Sequence, residues 1–208
     1  IERVLIQRIY NLPHMFQILV TLGIALIIQE ASVMIWGPVG KSVAVPPLLR
    51  GVVEIGDFVY PYYRLFLIAF SALVGFALWL LLERTRFGAL VRAGSESTET
   101  VSLLGTNIFR LFSMTFALGA GLAGIAGVLF APLRGAQPFV GPEILGVAFV
   151  VVVIGGMGSF SGALVGGLLV GVVQSLMTTI WPQGASLMIY GAMAVVILLR
   201  PYGLFGRA

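Results

Sequence analysis

Gly40, Lys41 and Ser42 close the segment GPVGKS at residues 37–42, a grouping that in other chains ends a phosphate-cradling loop. Such a loop needs another glycine five positions before Gly40, following a buried strand. Ile35 stands there instead, inside an apolar run, so nucleotide chemistry is not expected at this site. Metal and nucleophilic chemistry are equally unsupported. His14 is the sole histidine, there is no cysteine, and the eight acidic residues form no close cluster, so no ligand set or activated nucleophile can be assembled. His14, beside Pro13, reads as a polar anchor at a membrane interface. No catalytic residue, metal or resident cofactor is expected, and the chain is read as a non-enzyme.

The remaining polar residues are informative because of their surroundings. Gln29 and Glu30 lie in an apolar run, as do Gln174, Ser175, Thr178 and Thr179. A charge at the centre of a bilayer costs at least about 2.5 kcal/mol, so polar groups there are candidates for a translocation pathway. The plainer alternatives are snorkelling, an ion pair of Glu30 with an arginine such as Arg64, or hydrogen bonds between neighbouring helices. Gly155, Gly156, Gly158 and Ser159 place three glycines in four positions and mark a helix break. Between Glu83 and Asn107 the chain turns polar, and then Val101, Leu104, Ile108 and Leu111 recur at three-and-four spacing, predicting a short amphipathic helix that leads into the next apolar run. That helix either lies on the membrane surface or docks a partner.

The elements that must position these residues follow from composition. Hydrophobic residues make up 59% of the chain and charged ones only 10%, against about a quarter in soluble domains, and the mean hydropathy is +1.07. A water-soluble globule is excluded. The net charge of +4 does not point to nucleic acid, because the twelve Lys and Arg are scattered between apolar runs. The fold class expected is all-α, a polytopic transmembrane helical bundle of about six spans with a glycine-broken segment. Crossing about 30 Å of hydrocarbon needs long apolar runs, and these fall near 13–36, 60–82, 109–131, 144–158, 161–180 and 185–199. Tyr60, Tyr62, Tyr63 and Trp79 suit the two interfaces of the second span, and Pro132, Pro138 and Pro142 predict an irregular loop over 132–143. Arginines flank residues 83–108 and both termini of the chain, which puts those regions in the cytoplasm. Small residues at four-residue spacing, Gly119, Ala123 and Gly127 in one span and Ala163, Gly167, Gly171 and Ser175 in another, predict close helix contacts in lipid.

Several ordered segments carry a resemblance. Glu99 to Gly105 resembles the E-A-A-x-x-x-G loop by which permease subunits of ABC importers dock on their ATPase; Glu99 and Gly105 fit, Thr100 and Val101 replace the two alanines, and the distal I-x-L-P is absent. Residues 84–129, residues 154–176 (IGGMGSFSGALVGGLLVGVVQSL) and the ending LLRPYGLFG are similar to segments of branched-chain amino-acid permeases, so the likeness runs over essentially the whole chain. It implies a single transmembrane permease domain over 1–208, in the cell inner membrane, with a cytoplasmic docking loop at 83–108. It also implies ATPase subunits that bind the ATP and contact Glu99, Val101, Leu104, Gly105 and Ile108, a second permease subunit, and an extracytoplasmic solute-binding protein touching loops such as 132–142. Such permeases usually begin with further hydrophobic helices, which this sequence is expected to lack. A urea or short-chain amide permease, or a secondary transporter that needs no ATPase, would be the alternatives. Under this resemblance the break at Gly155–Ser159 is a candidate contact for a zwitterionic substrate.

Overall fold

A computed structural model describes residues 14–55, 58–103, 105–156, 158–200 and 202–206. In chain order the elements are α1 (His14–Trp36), a 3-10 turn (Pro47–Leu49), strands β1 (Val52–Ile55) and β2 (Phe58–Pro61), then α2 (Tyr62–Arg84), α3 (Arg86–Glu96), α4 (Thr98–Leu103), α5 (Ile108–Arg134), α6 (Val140–Gly155), α7 (Phe160–Ile180), a 3-10 turn (Pro182–Gly184) and α8 (Ala185–Leu199). The all-α membrane character holds. Among the described residues five segments are long and apolar enough to cross a membrane, namely Leu19–Trp36, Tyr62–Arg84, Ile108–Arg134, Phe160–Ile180 and Pro182–Leu199. The sixteen-residue α6 is apolar but, at 1.5 Å per residue, only about 24 Å long.

Helices that are apolar on every side belong in lipid, where backbone groups must be satisfied within the segment. The described side chains agree with that setting. Among them only Tyr63, Val101, Leu111, Val150, Ile154, Val170, Ala185 and Ile189 are buried hydrophobics, while dozens of Leu, Ile, Val and Phe side chains face outward. Within the one domain expected from sequence, packing divides the chain into two compact units. The first comprises residues up to Ala77 with Arg86–Val140, the second Leu78–Thr85 with the chain from Gly141 onward.

In the first unit β1 and β2 pair antiparallel, with Val53 opposite Tyr60 and Glu54 opposite Val59. This hairpin adds a small sheet to a region expected to be loop; Val, Ile, Phe and Tyr favour the pleated conformation. Tyr63 does not act as an interface anchor. It is 5% exposed and its hydroxyl donates to the Leu129 carbonyl at 2.6 Å, tying α2 to α5. The loop expected over 132–143 shrinks to Gly135–Phe139, because α5 continues two residues past Pro132 and α6 starts before Pro142. Pro142 sits in the first turn of α6, where the missing N–H has no intrahelical partner to lose, whereas Pro132 lies inside α5 and forfeits one intrahelical hydrogen bond two residues before the helix ends.

In the second unit Val150 and Ile154 of α6, Val170 of α7 and Ile189 of α8 form a core, with Val147, Val151, Met193, Val196 and Leu204 packed around it. Here the small-residue contact runs along Gly162 and Gly166, one position away from the ridge of Ala163, Gly167 and Gly171 expected from sequence. A Cβ on Gly166 would stand 2.7 Å from the Val151 carbonyl oxygen, and one on Gly162 would collide with the Gly155 backbone. At Gly167 the nearest atom is a Val151 methyl at 3.7 Å, and at Gly171 nothing lies within 4 Å. Both stripes carry small residues at four-residue spacing, so the sequence pattern alone does not choose between them.

Candidate functional site

The polar stretch after α2 folds as two helices rather than one continuous amphipathic helix. α3 ends at Glu96, and Ser97 N–H donates to the Ala93 carbonyl at 3.0 Å while the Ser97 carbonyl accepts from Val101 at 3.3 Å, starting α4. α4 lasts six residues. It stops because Gly105 turns to φ 77°, a left-handed conformation open to glycine, with its N–H donating to Ser102 at 3.0 Å. Asn107 then caps α5: its side-chain oxygen accepts from Arg110 N–H at 3.1 Å. The helix expected from Val101 through Leu111 is therefore broken by two local signals, a left-handed glycine and an N-cap asparagine.

This break decides which side chains are presented. Val101 is 1% exposed and seats the segment on its own unit, so it is not a contact offered to an outside partner. Leu103 is 83% exposed. Two residues advance a helix by about 200°, which puts Leu103 nearly opposite Val101. Gly105 is exposed, with nothing within 4 Å of the place its Cβ would occupy, and Ile108 is half-buried. Glu99 lies in the middle of α4, its side chain outside what is described, and Leu104 lies outside the described residues. Leu103 was missed in the sequence because it falls among the variable positions of the docking pattern; burial of Val101 is the signal that reveals it.

The pathway candidates belong to different packing units. Gln29 is half-buried and Glu30 exposed on α1, and Glu30 forms no ion pair with Arg64. On α7 Gln174 is half-buried and Ser175 exposed. The Thr178 and Thr179 hydroxyls both donate to the Ser175 carbonyl, at 2.9 and 3.1 Å, so their hydrogen bonds are satisfied within the helix. That leaves their oxygens as acceptors but removes their donors from a polar route.

At the glycine segment α6 stops at Gly155, and Gly156 and Gly158 take φ of 98° and 83°. Ser159 starts α7 by accepting from Gly162 N–H at 3.0 Å. The orphan carbonyls at the end of α6 are met from the C-terminal tail: Leu204 N–H donates to Ile154 at 2.9 Å and Phe205 N–H to Gly155 at 3.0 Å. Gly203 packs on Gly156 so closely that a Cβ would stand 2.5 Å from the Gly156 Cα. Sequence reasoning located the break but not the tail that holds it. Among the described residues no three His, Cys, Asp or Glu gather as metal ligands. Around GPVGKS, Lys41 follows a helix and its N–H and carbonyl pair with Ala136, each at 2.9 Å, so the strand, loop and helix order of a phosphate loop is absent there.

Comparison with known proteins interprets this arrangement. The model of the branched-chain amino acid transport system permease component matches residues 5–198. The chain belongs to that permease family. Among related permeases, the high-affinity branched-chain amino acid transport system permease protein BraD of Pseudomonas aeruginosa is 32% identical over 215 residues, covering all of this chain and 69% of BraD. The corresponding permease protein LivH of Escherichia coli K12 is 28% identical over 216 residues, again all of this chain and 69% of LivH. The permease protein LivM of the same organism is 33% identical over 128 residues, 59% of this chain and 29% of LivM. No solved structure matches. As a member of this permease family the chain is a multi-pass membrane protein of a transport system.

Proposed function

We propose that this permease is the membrane-spanning subunit of an ATP-driven importer that moves branched-chain amino acids across the inner membrane. The observation that carries the reading is the match to BraD and LivH along the entire chain, whose names specify that substrate class and favour it over urea or short-chain amides. ATP is hydrolysed by partner subunits docking at α4 and the Gly105 turn, where outward Leu103 supplies an apolar contact and Glu99 and Gly105 keep the docking pattern. A second permease subunit packs against the α5 stripe, where Gly119, Gly124 and Gly127 meet no side chain of their own unit within 4 Å. An extracytoplasmic binding protein delivers the substrate. On α1, Gln29 and Glu30 are proposed as polar groups of the translocation pathway, and on α7 Gln174 and Ser175 are proposed for the same role, with the Gly155–Ser159 break as a candidate substrate contact.

The test is uptake of labelled leucine, valine and urea by the reconstituted assembly, with wild type compared to Gly105→Trp. Loss of leucine and valine uptake together with loss of ATPase co-purification supports the reading. Uptake that persists without the ATPase, or a preference for urea, overturns it.

A further inference from the structure

The core of the second unit changes character along its length. Away from the glycine break, α6 contributes Ile154, Val150 and then Gly146 at four-residue spacing, and α7 contributes Gly166, Val170 and then Gln174, so each series keeps to one helix face. Val150, Ile154 and Val170 pack with Ile189 of α8. Beyond that core the Tyr190 hydroxyl oxygen stands 3.0 Å from where a Cβ on Gly146 would be. Gly146 lies six residues from Val140, Gln174 six from Ile180 and Tyr190 five from Ala185, the helix ends farthest from the glycine break. At 1.5 Å per residue all three sit about 8–9 Å inside those ends, so three separate helices agree on one layer.

The polar groups of this layer are not consumed by the fold. Among the described residues neither the Gln174 carboxamide nor the Tyr190 hydroxyl has a hydrogen-bond partner. Gln174 is half-buried, yet no buried side-chain nitrogen or oxygen is left unpaired, so its carboxamide reaches open space. A tyrosine that merely anchors a span end turns its hydroxyl to the headgroups. Tyr190 turns instead toward the α6 backbone, into room left by a glycine, although glycine is a poorer helix former than alanine.

We infer that the Tyr190 hydroxyl donates a hydrogen bond to the carboxylate of the amino acid in transit, with Gln174 a second donor at the same depth and Gly146 leaving the room. This rests on the branched-chain amino acid reading above. A carboxylate leaving water needs donors to replace its hydration. Both groups here are neutral, and they hold the carboxylate more loosely than an arginine would, as release to the next part of the route requires.

The full assembly, with its ATPase and binding protein, is reconstituted, and uptake of labelled leucine is measured beside thermal unfolding. Tyr190→Phe removes one hydrogen bond to a charged group and is expected to lower uptake about tenfold. Gln174→Leu makes the stripe apolar and is expected to lower uptake with stability kept or raised. Gly146→Ala presses only on the flexible end of Tyr190, so a smaller fall in uptake at unchanged stability is expected. The chain has no cysteine, so Tyr190→Cys gives this subunit a single thiol for a water-soluble methanethiosulfonate. Leucine-loaded binding protein, compared with leucine-free, is expected to slow that labelling about threefold or more by placing substrate at the layer. Wild-type uptake in Tyr190→Phe overturns the proposal, as does labelling of Tyr190→Cys that leucine leaves unchanged. Uptake that falls only in step with unfolding makes these residues structural and overturns it as well. A wild type that imports neither leucine nor valine overturns the transport reading itself, a result distinct from leucine import that Tyr190→Phe preserves.

Discussion

Glycine has opposite jobs at the α6–α7 contact and at the docking turn. At the end of α6, Gly155, Gly156, Gly162, Gly166 and Gly203 are present because another backbone occupies the space a side chain would need. At the docking segment Gly105 has open space around it and is needed only for its backbone conformation. The contact of Gly155 with Gly162 and Gly166 therefore uses glycine for proximity, whereas the Gly105 turn uses it for direction alone. Substitution should harm them differently, through collision at the α6 break and through local backbone strain at the docking turn.

The largest effect expected is at the break. Gly162→Leu forces a side chain into the Gly155 backbone, and no flexible neighbour can yield, so destabilisation of about 3 kcal/mol or more is expected, read as loss of folded protein in detergent thermal unfolding. Normal folding and uptake in this variant would break the contrast. Next, Leu103→Asp should lower transport about tenfold or more while thermal unfolding stays within about 0.5 kcal/mol of wild type, because the side chain is exposed and lies outside the core. Coupled ATPase activity measured beside unfolding separates those readouts. Gly105→Ala should cost about 1 kcal/mol from the left-handed φ alone, far less than Gly162→Leu; a similar loss for both would mean that Gly105 is packed after all. Smallest, Ser159→Ala and Asn107→Ala each remove one helix cap and should cost about 1 kcal/mol or slightly less, with hydrogen exchange at Gly162 and Arg110 reporting the released amides.

Much of the first unit and the break was legible in the sequence because the signals are local. Apolar runs of spanning length depend only on composition, and GGMGS interrupts an apolar run whatever lies nearby. The docking segment was legible as a place but not as a shape. Val101, Leu104, Ile108 and Leu111 keep helical spacing, yet Gly105 and Asn107 between them end one helix and start another. The helical spacing outweighed two short-range signals that were there to be read. Tyr63 and the Gly162–Gly166 contact were illegible for another reason. A tyrosine at a span end serves an interface or a neighbouring carbonyl equally well, and two adjacent stripes of small residues are equivalent until a partner helix is present. The hydrogen bonds from Leu204 and Phe205 to the end of α6 depend on a long-range return of the chain, which no periodicity announces.

Those two bonds set an order in time. Ile154 and Gly155 are synthesised well before Leu204 and Phe205, yet their carbonyls receive these donors only when the tail arrives. During synthesis the end of α6 must therefore rely on water, lipid headgroups or the insertion machinery for hydrogen bonds, and the second unit closes only after α8 has been laid down. Release of nascent chains at Arg200 and again beyond Gly206 would separate an open intermediate from the closed unit by protease resistance at the glycine break.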